Sequence, residues 1–240
     1  MEIAKSFYKE KSSIVINGKT AIEEALRLLN SKVVAIPTYT CSRLYEASLN
    51  AKCKPLIVDC GLDLQIKLDE IPKEADTVII PHMFGIQVDI KSIKEDFKII
   101  EDCSQCMGLP ELGKHSDIVI ASLGPTKWLP VGSLKESGGG LIMYNYGKVE
   151  DDFPQVDEAL NMFYEIKDRL ESRKAKVKEL QNAGVKFIGS ERPNAWLRGM
   201  YFTENQMRVP YTPLHDIYEG FDCPTVDSYK NRLDWVSIFP

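Results

Sequence analysis

FKIIEDCSQCMGLPELGKHSDIVIASLGPTKW, residues 97–128, holds two short apolar runs that each end in polar groups. FKIIED closes on Glu101 and Asp102, and SDIVIAS (116–122) closes on Ser122, just before Gly124, Pro125 and Lys127. Runs of this length that are continuously apolar, not alternating, are the pattern of strands buried on both faces of a parallel sheet. Upstream, KVVAIP (32–37), KPLIVD (54–59) and TVIIPH (77–82) repeat it. Helical spacing over residues 20–29, helical character over residues 42–50 and a short helix expected at residues 89–96 alternate with these runs. The alternation predicts an α/β fold with a mainly parallel sheet flanked by helices. Gly138, Gly139 and Gly140 before LIMYN (141–145) predict a further strand entered through a sterically open turn, for about seven strands in all.

Beyond Tyr146 the texture changes. Residues 157–183 form a long charged helix in prospect, with Leu160, Phe163, Ile166, Leu170, Val177 and Leu180 as its apolar stripe. VKFIG (185–189), AWLRGMYF (195–202) and the closing CPTVDSYKNRLDWVSIFP (223–240) then suggest a small α+β unit. The expected organisation is a large α/β domain over residues 1–150, a linking helix over 151–184 and a shortened C-terminal domain over 185–240. The 240 residues carry a formal net charge of −5 and no basic run, which argues against nucleic acid as a partner. Neither a signal peptide nor a membrane span is legible, so a cytoplasmic protein without a membrane partner is expected.

The strand ends are where chemistry is expected, because in parallel α/β sheets they face the ligand crevice. Asp102, at the end of a buried strand, either caps the segment that follows or meets a cationic partner. Lys127 alone is an ordinary loop lysine; its weight comes from Asp102 and Ser122 nearby. Gly18, Lys19 and Thr20 open a helix, an arrangement that serves equally as a cap or as a phosphate site. A nucleotide-binding P-loop does not fit, since Ser13 stands where its upstream glycine is required. Cys103 and Cys106 form a CxxC, yet no second pair accompanies it, and the expectation is buried thiols and no metal. His82 and His115 are expected in structural and surface roles.

Together these segments resemble the sugar aminotransferases of the DegT/DnrJ/EryC1/StrS family, which share the fold-type-I aspartate aminotransferase architecture. NGKTAIEEAL (17–26) is similar to the family's phosphate-binding turn and helix, and IPHMFGIQVDI (80–90) to its V-H-L-Y-G-Q strand and loop. IIEDCSQCMG (99–108) and SLGPTKW (122–128) look like its E-D-A-A-Q and S-F-x-P-T-K elements, with the spacing of five from Ser122 to Lys127 kept. YTPLH (211–215) resembles its Y-x-P-L-H element, so a complete but shortened chain is expected. The resemblance implies pyridoxal 5'-phosphate as cofactor, held as an aldimine on Lys127, with Asp102 on the pyridinium nitrogen. It further implies Gln105 at the ring hydroxyl, and Ser122, Thr20 and the backbone of Lys19 at the phosphate. Cys41 takes the position of the family's stacking aromatic, while Tyr39 and His215 are the substrate-side residues. The implied reaction moves an amino group from a donor, glutamate in the first instance, to a nucleotide-linked keto sugar, in a homodimer.

The family's G-Y-N-x-R-M-like segment has no counterpart between MYNYGK (143–148) and the long helix, and the stretch between Phe202 and Tyr211 is short. Two other activities therefore stand beside aminotransfer. One is a pyridoxal-phosphate-dependent sugar dehydratase, which consumes no amino donor; the other is a non-catalytic binding or regulatory relative that keeps the sheet.

Overall fold

The computed structural model describes residues 2–124, 127, 138–152, 157, 161, 163–204, 206 and 211–238. Pro125, Thr126, Trp128, Pro130 and Leu160 lie outside them. At the centre is a seven-stranded sheet in the order β1-β7-β6-β5-β4-β2-β3. The five parallel strands are the apolar runs read from the sequence: β2 (Val33–Pro37), β3 (Lys54–Val58), β4 (Thr77–Pro81), β5 (Lys98–Asp102) and β6 (Ile118–Ser122). β7 (Gly140–Tyr144) runs antiparallel to β6. The seventh strand, β1 (Lys11–Val15), pairs antiparallel with β7 along the sheet edge. KSSIV carries no apolar run and was not legible as a strand; only its last three residues are buried. Gly140 is required where β1 leaves the sheet, because a Cβ there would lie 2.2 Å from the Asn17 carbonyl oxygen.

After the short α1 (Glu2–Ser6), helices α2 (Gly18–Leu28) and α3 (Arg43–Asn50) pack together beside the sheet. The helix expected at residues 89–96 is instead a single 3₁₀ turn, Lys91–Ile93. Ile93 is buried within it and Ile90 just before it, a spacing of three that matches the repeat of a 3₁₀ turn. α4 (Ile166–Asn182) carries the foreseen stripe, with Leu170 and Val177 buried and Ile166 and Leu180 partly so.

Towards the C-terminus, β8 (Arg198–Phe202) and β9 (Leu233–Ser237) form an antiparallel pair, accompanied by α5 (Leu214–Ile217) and α6 (Pro224–Tyr229). One apolar cluster joins this region to the sheet, since Met200, Leu214, Cys223, Val226 and Tyr229 pack with Ile36 and Tyr39. Asp59, just past β3, caps α6 from a distance: its carboxylate accepts the amides of Thr225 at 2.9 Å and Val226 at 3.2 Å. Among the described residues no helix is long and apolar enough to cross a membrane.

The pleat at the end of β5 sends Glu101 and Asp102 to opposite faces. Glu101 is buried and accepts from His82 Nε2 at 2.8 Å, from the Gly113 amide at 2.7 Å and from Ser116 Oγ at 2.9 Å. Val88 donates its amide to His82 Nδ1 at 3.0 Å, which assigns the ring proton to Nε2. Desolvation opposes the charge on Glu101, but these donors outweigh it and hold the carboxyl below its ordinary value. Such a group stabilises the fold fully above the unfolded glutamate value of about 4.3, and the contribution is lost as pH falls through that value toward the folded one. Glu101→Gln leaves one acceptor oxygen where the carboxylate has two, so its NH₂ must face either the His82 Nε2–H or the donors of Gly113 and Ser116, and the change should cost about 2–3 kcal/mol at neutral pH. Urea denaturation followed from pH 6 to 3 should then show a flatter loss of stability in the variant; a slope equal to wild type would remove Glu101 from this role.

Candidate active site

The N-terminus of α2 is built by its own sequence. Asn17 is the N-cap, and its Oδ1 accepts the Thr20 amide at 2.9 Å and the Thr20 hydroxyl at 3.3 Å. Gly18 follows directly and lies against Ser122 at the end of β6: a Cβ on Gly18 would stand 2.7 Å from Ser122 Cβ and 3.1 Å from its Oγ. Only glycine lets the helix start approach the strand end this closely.

Around this contact opens a cavity of about 430 Å³. Asn17, Gly18, Lys19 and Ile22 form one wall, and Cys41, Arg43 and Leu44 at the start of α3 form another. The ends of β5 and β6 contribute Asp102, Ser104, Ile120 and Ser122, and Lys127 completes the lining. Three cationic side chains thus face one acid, at the positive end of a helix dipole, a field that favours an anion. Lys19 lies 3.9 Å from Glu23, and Arg43 pairs with Glu46. The ammonium of Lys127 has neither ion pair nor hydrogen bond among the described residues; its backbone amide is anchored to the Gly124 carbonyl at 2.8 Å. Asp102 Oδ1 accepts both the amide and the hydroxyl of Ser104, whereas no hydrogen bond from a described residue reaches Oδ2.

Of the residues nominated from the sequence, the structure brings Lys19, Cys41, Asp102, Ser122 and Lys127 to this cavity. It places four elsewhere. Thr20 is engaged by the Asn17 cap. Gln105 is buried, with its Oε1 accepting the Phe84 amide at 2.8 Å and its amide nitrogen 3.6 Å from Met83 Sδ. Tyr39 is enclosed by the rings of Phe84 and Tyr229, at 5.9 and 6.4 Å between centroids, and burial pushes its phenol up. His215 bridges Thr38 Oγ1 at 2.6 Å and Asp227 Oδ1 at 3.1 Å, tying α5 to α6.

Ser104 and Arg43 were not singled out from the sequence. A serine two residues after an acid is the signature of a local side-chain turn, and this is how Ser104 binds Asp102. Nothing in TCSR marks Arg43, which reaches the cavity because α3 starts beside α2. Cys103 and Cys106 are fully buried behind β5, and burial pushes both thiols up. They lie within 4.8 Å of His82, whose two ring nitrogens are already engaged. A larger cleft of about 600 Å³ opens on the opposite face, between Asp63, Arg192, Lys91 and His115. Its one buried carboxylate is Glu101, both of whose oxygens are taken, so the smaller cavity is the one equipped for chemistry.

No protein-family model matches the chain, and no curated protein matches its sequence. Its structure is nevertheless similar to several that have been solved. The crystal structure of 3-amino-5-hydroxybenzoic acid synthase aligns with a TM-score of 0.82 at 13% identity, over 99% of this chain and 83% of that one. A DegT DnrJ EryC1 StrS aminotransferase from Brucella abortus gives 0.81 at 18% identity, again over 99% and 83%. NtdA from Bacillus subtilis, with bound cofactor PMP, gives 0.77 at 20% identity over 99% and 71%. At these identities the likeness is one of fold: the chain shares the mostly parallel, fold-type-I architecture of these structures.

Proposed function

We propose that the 430 Å³ cavity holds pyridoxal 5'-phosphate on Lys127, and that the chain is an aminotransferase carrying nitrogen from an amino donor to a keto sugar. The observation that carries this reading is the meeting, in one cavity, of a lysine without an ionic partner among the described residues, an acid with one oxygen that none of them engages, and a helix N-terminus pressed against a serine. The residues fit the cofactor's three chemical ends. A phosphate suits the Gly18 and Lys19 edge of α2 with the Ser122 hydroxyl, where dipole and side-chain charge act together. A protonated ring nitrogen suits Asp102 Oδ2, because a partly buried carboxylate needs a cationic or donor partner. An aldehyde suits the free amine of Lys127. Two solved structures of this fold support the same choice, one named as an aminotransferase and the other, NtdA, with cofactor PMP bound.

When bound, pyridoxal phosphate supplies an electron sink for charge developing at the amino donor's Cα. Asp102 maintains that capacity by accepting the ring N–H and keeping the nitrogen protonated. Lys127, whose amine would hold the cofactor's aldehyde, would also be the base that holds and moves the proton at the donor's Cα. Arg43 and Lys19 add positive charge at the rim, which favours an anionic co-substrate; glutamate as donor and a nucleotide-linked keto sugar as acceptor both meet this requirement. We take the working unit to be a homodimer, as the resemblance implies.

Purified protein given pyridoxal phosphate should develop a visible absorption band that borohydride fixes as an adduct, and tryptic mapping should find it on Lys127. Lys127→Ala should form no reducible adduct while keeping the wild-type melting temperature; an adduct on another lysine, or no band at saturating cofactor, would sink the assignment. Asp102→Asn should keep the cofactor yet lower turnover by roughly 10² to 10³, the usual cost of removing one electrostatic partner from an active site. Turnover measured with glutamate and a panel of keto sugars, with 2-oxoglutarate release as the readout, checks this. Reaction of the sugar without release of the donor's keto acid would identify dehydration in place of aminotransfer.

A further inference from the structure

We infer that Ser104 is a positioning residue: its hydroxyl fixes the orientation of Asp102 and ties that acid to the strand end from which Lys127 hangs. The inference rests on the cofactor reading above and extends it to a residue that the resemblance leaves without a role.

Parallel pairing between β5 and β6 proceeds regularly as far as the Cys103 amide, which donates to the Ile120 carbonyl at 2.8 Å. The next rung of a parallel ladder would join the Ser122 amide to the Cys103 carbonyl. That carbonyl is turned into the bend after β5, where it accepts the Cys106 amide at 3.2 Å. The Ser122 amide goes instead to Ser104 Oγ, at 2.7 Å. A side chain has replaced a backbone acceptor in the sheet, at the strand ends that line the cavity.

The direction of the remaining proton follows from the donor inventory. A backbone amide only donates, so Ser104 Oγ is the acceptor toward Ser122 and has one proton of its own to give. The hydroxyl gives that proton to Asp102 Oδ1, the same oxygen that accepts the Ser104 amide at 2.9 Å. Two donors on Oδ1 restrain rotation of the carboxylate and leave Oδ2 as the oxygen that no described residue engages. Ser104 is only 4% exposed, so water is a poor substitute for its hydroxyl. From Ser122 the chain continues through Gly124, whose amide reaches Ser122 Oγ at 3.4 Å and whose carbonyl accepts the Lys127 amide. One hydroxyl therefore links the acid to the strand end whose Gly124 anchors the Lys127 amide.

The test compares Ser104→Ala and Ser104→Thr with wild type by pyridoxal phosphate titration of the visible band, by the pH midpoint of that band in the bound protein, and by the melting temperature of the cofactor-free protein. Ser104→Ala should weaken cofactor binding about 10-fold or more, the scale of one hydrogen bond to a charged group. It should also shift the band's pH midpoint by roughly half a unit or more, a change that lost packing alone would not produce. Ser104→Thr, which keeps the hydroxyl, should restore both. Unchanged affinity and midpoint in Ser104→Ala would overturn the inference while leaving the Lys127 assignment intact. A loss that Ser104→Thr does not restore, or one that only tracks a fall in melting temperature of the cofactor-free protein, would overturn it too. Wild-type protein that forms no adduct on Lys127 would overturn both readings together.

Discussion

Two carboxylates stand side by side at the end of a buried strand, and the structure around β5 is organised by what each of them needs. Burying an unpaired carboxylate costs several kcal/mol, so neither Glu101 nor Asp102 is tolerable without donors. The pleat separates them. Glu101, on one face, recruits His82 from the end of β4, the Gly113 amide and the Ser116 hydroxyl, which pins the two segments flanking β5 to the strand. Asp102, on the other face, draws the chain back on itself so that Ser104 supplies both amide and hydroxyl to one oxygen. The tight turn through Cys106 follows from that demand, and the burial of the two cysteines behind it follows from the turn.

A second convergence is steric. α2 begins against the end of β6 because Gly18 has no side chain, and β1 leaves the sheet past Gly140 for the same reason. These two close approaches bring a helix N-terminus to the strand ends that carry Asp102 and Ser122. The partial positive charge of the helix, with Lys19 and Arg43 beside it, gives the cavity a polarity opposite to the chain's net charge of −5. An acidic protein thus gathers three cationic side chains at one pocket, two of them paired with Glu23 and Glu46 outside its lining.

The parallel strands were legible because each is buried on both faces and so reads as an unbroken apolar run; β1, an edge strand with only its end buried, leaves no such trace. The segment 89–96 has the composition of a helix but closes into one 3₁₀ turn that buries Ile93. At the cavity, the residues legible in advance sit at strand ends or at a helix start, positions that local pattern identifies. Ser104 and Arg43 depend on which elements become neighbours, and nothing in their own surroundings announces it. Tyr39 and His215 illustrate the converse. Their residue types suggest chemistry, yet an aromatic cluster encloses one and two hydrogen bonds engage the other, because the C-terminal segments fold back onto the sheet and need anchors of this kind.

What separates a site from a scaffold here is the hydrogen-bonding capacity left open. Asp59 is as buried as Asp102, but its oxygens are occupied by the Cys60, Thr225 and Val226 amides and by Lys67 at 3.2 Å, and its work is to fasten α6. Glu101 is likewise complete. Among the described residues, Asp102 keeps one oxygen without a donor in the same cavity as Lys127, whose ammonium has no partner among them either. A fold selected for stability alone would pair these two groups or replace them with apolar residues, since both choices lower the desolvation cost. On the reading proposed here, their presence in one cavity without a partner among the described residues suits a ligand that brings a donor to the acid and a carbonyl to the amine, the pair of groups that pyridoxal phosphate carries.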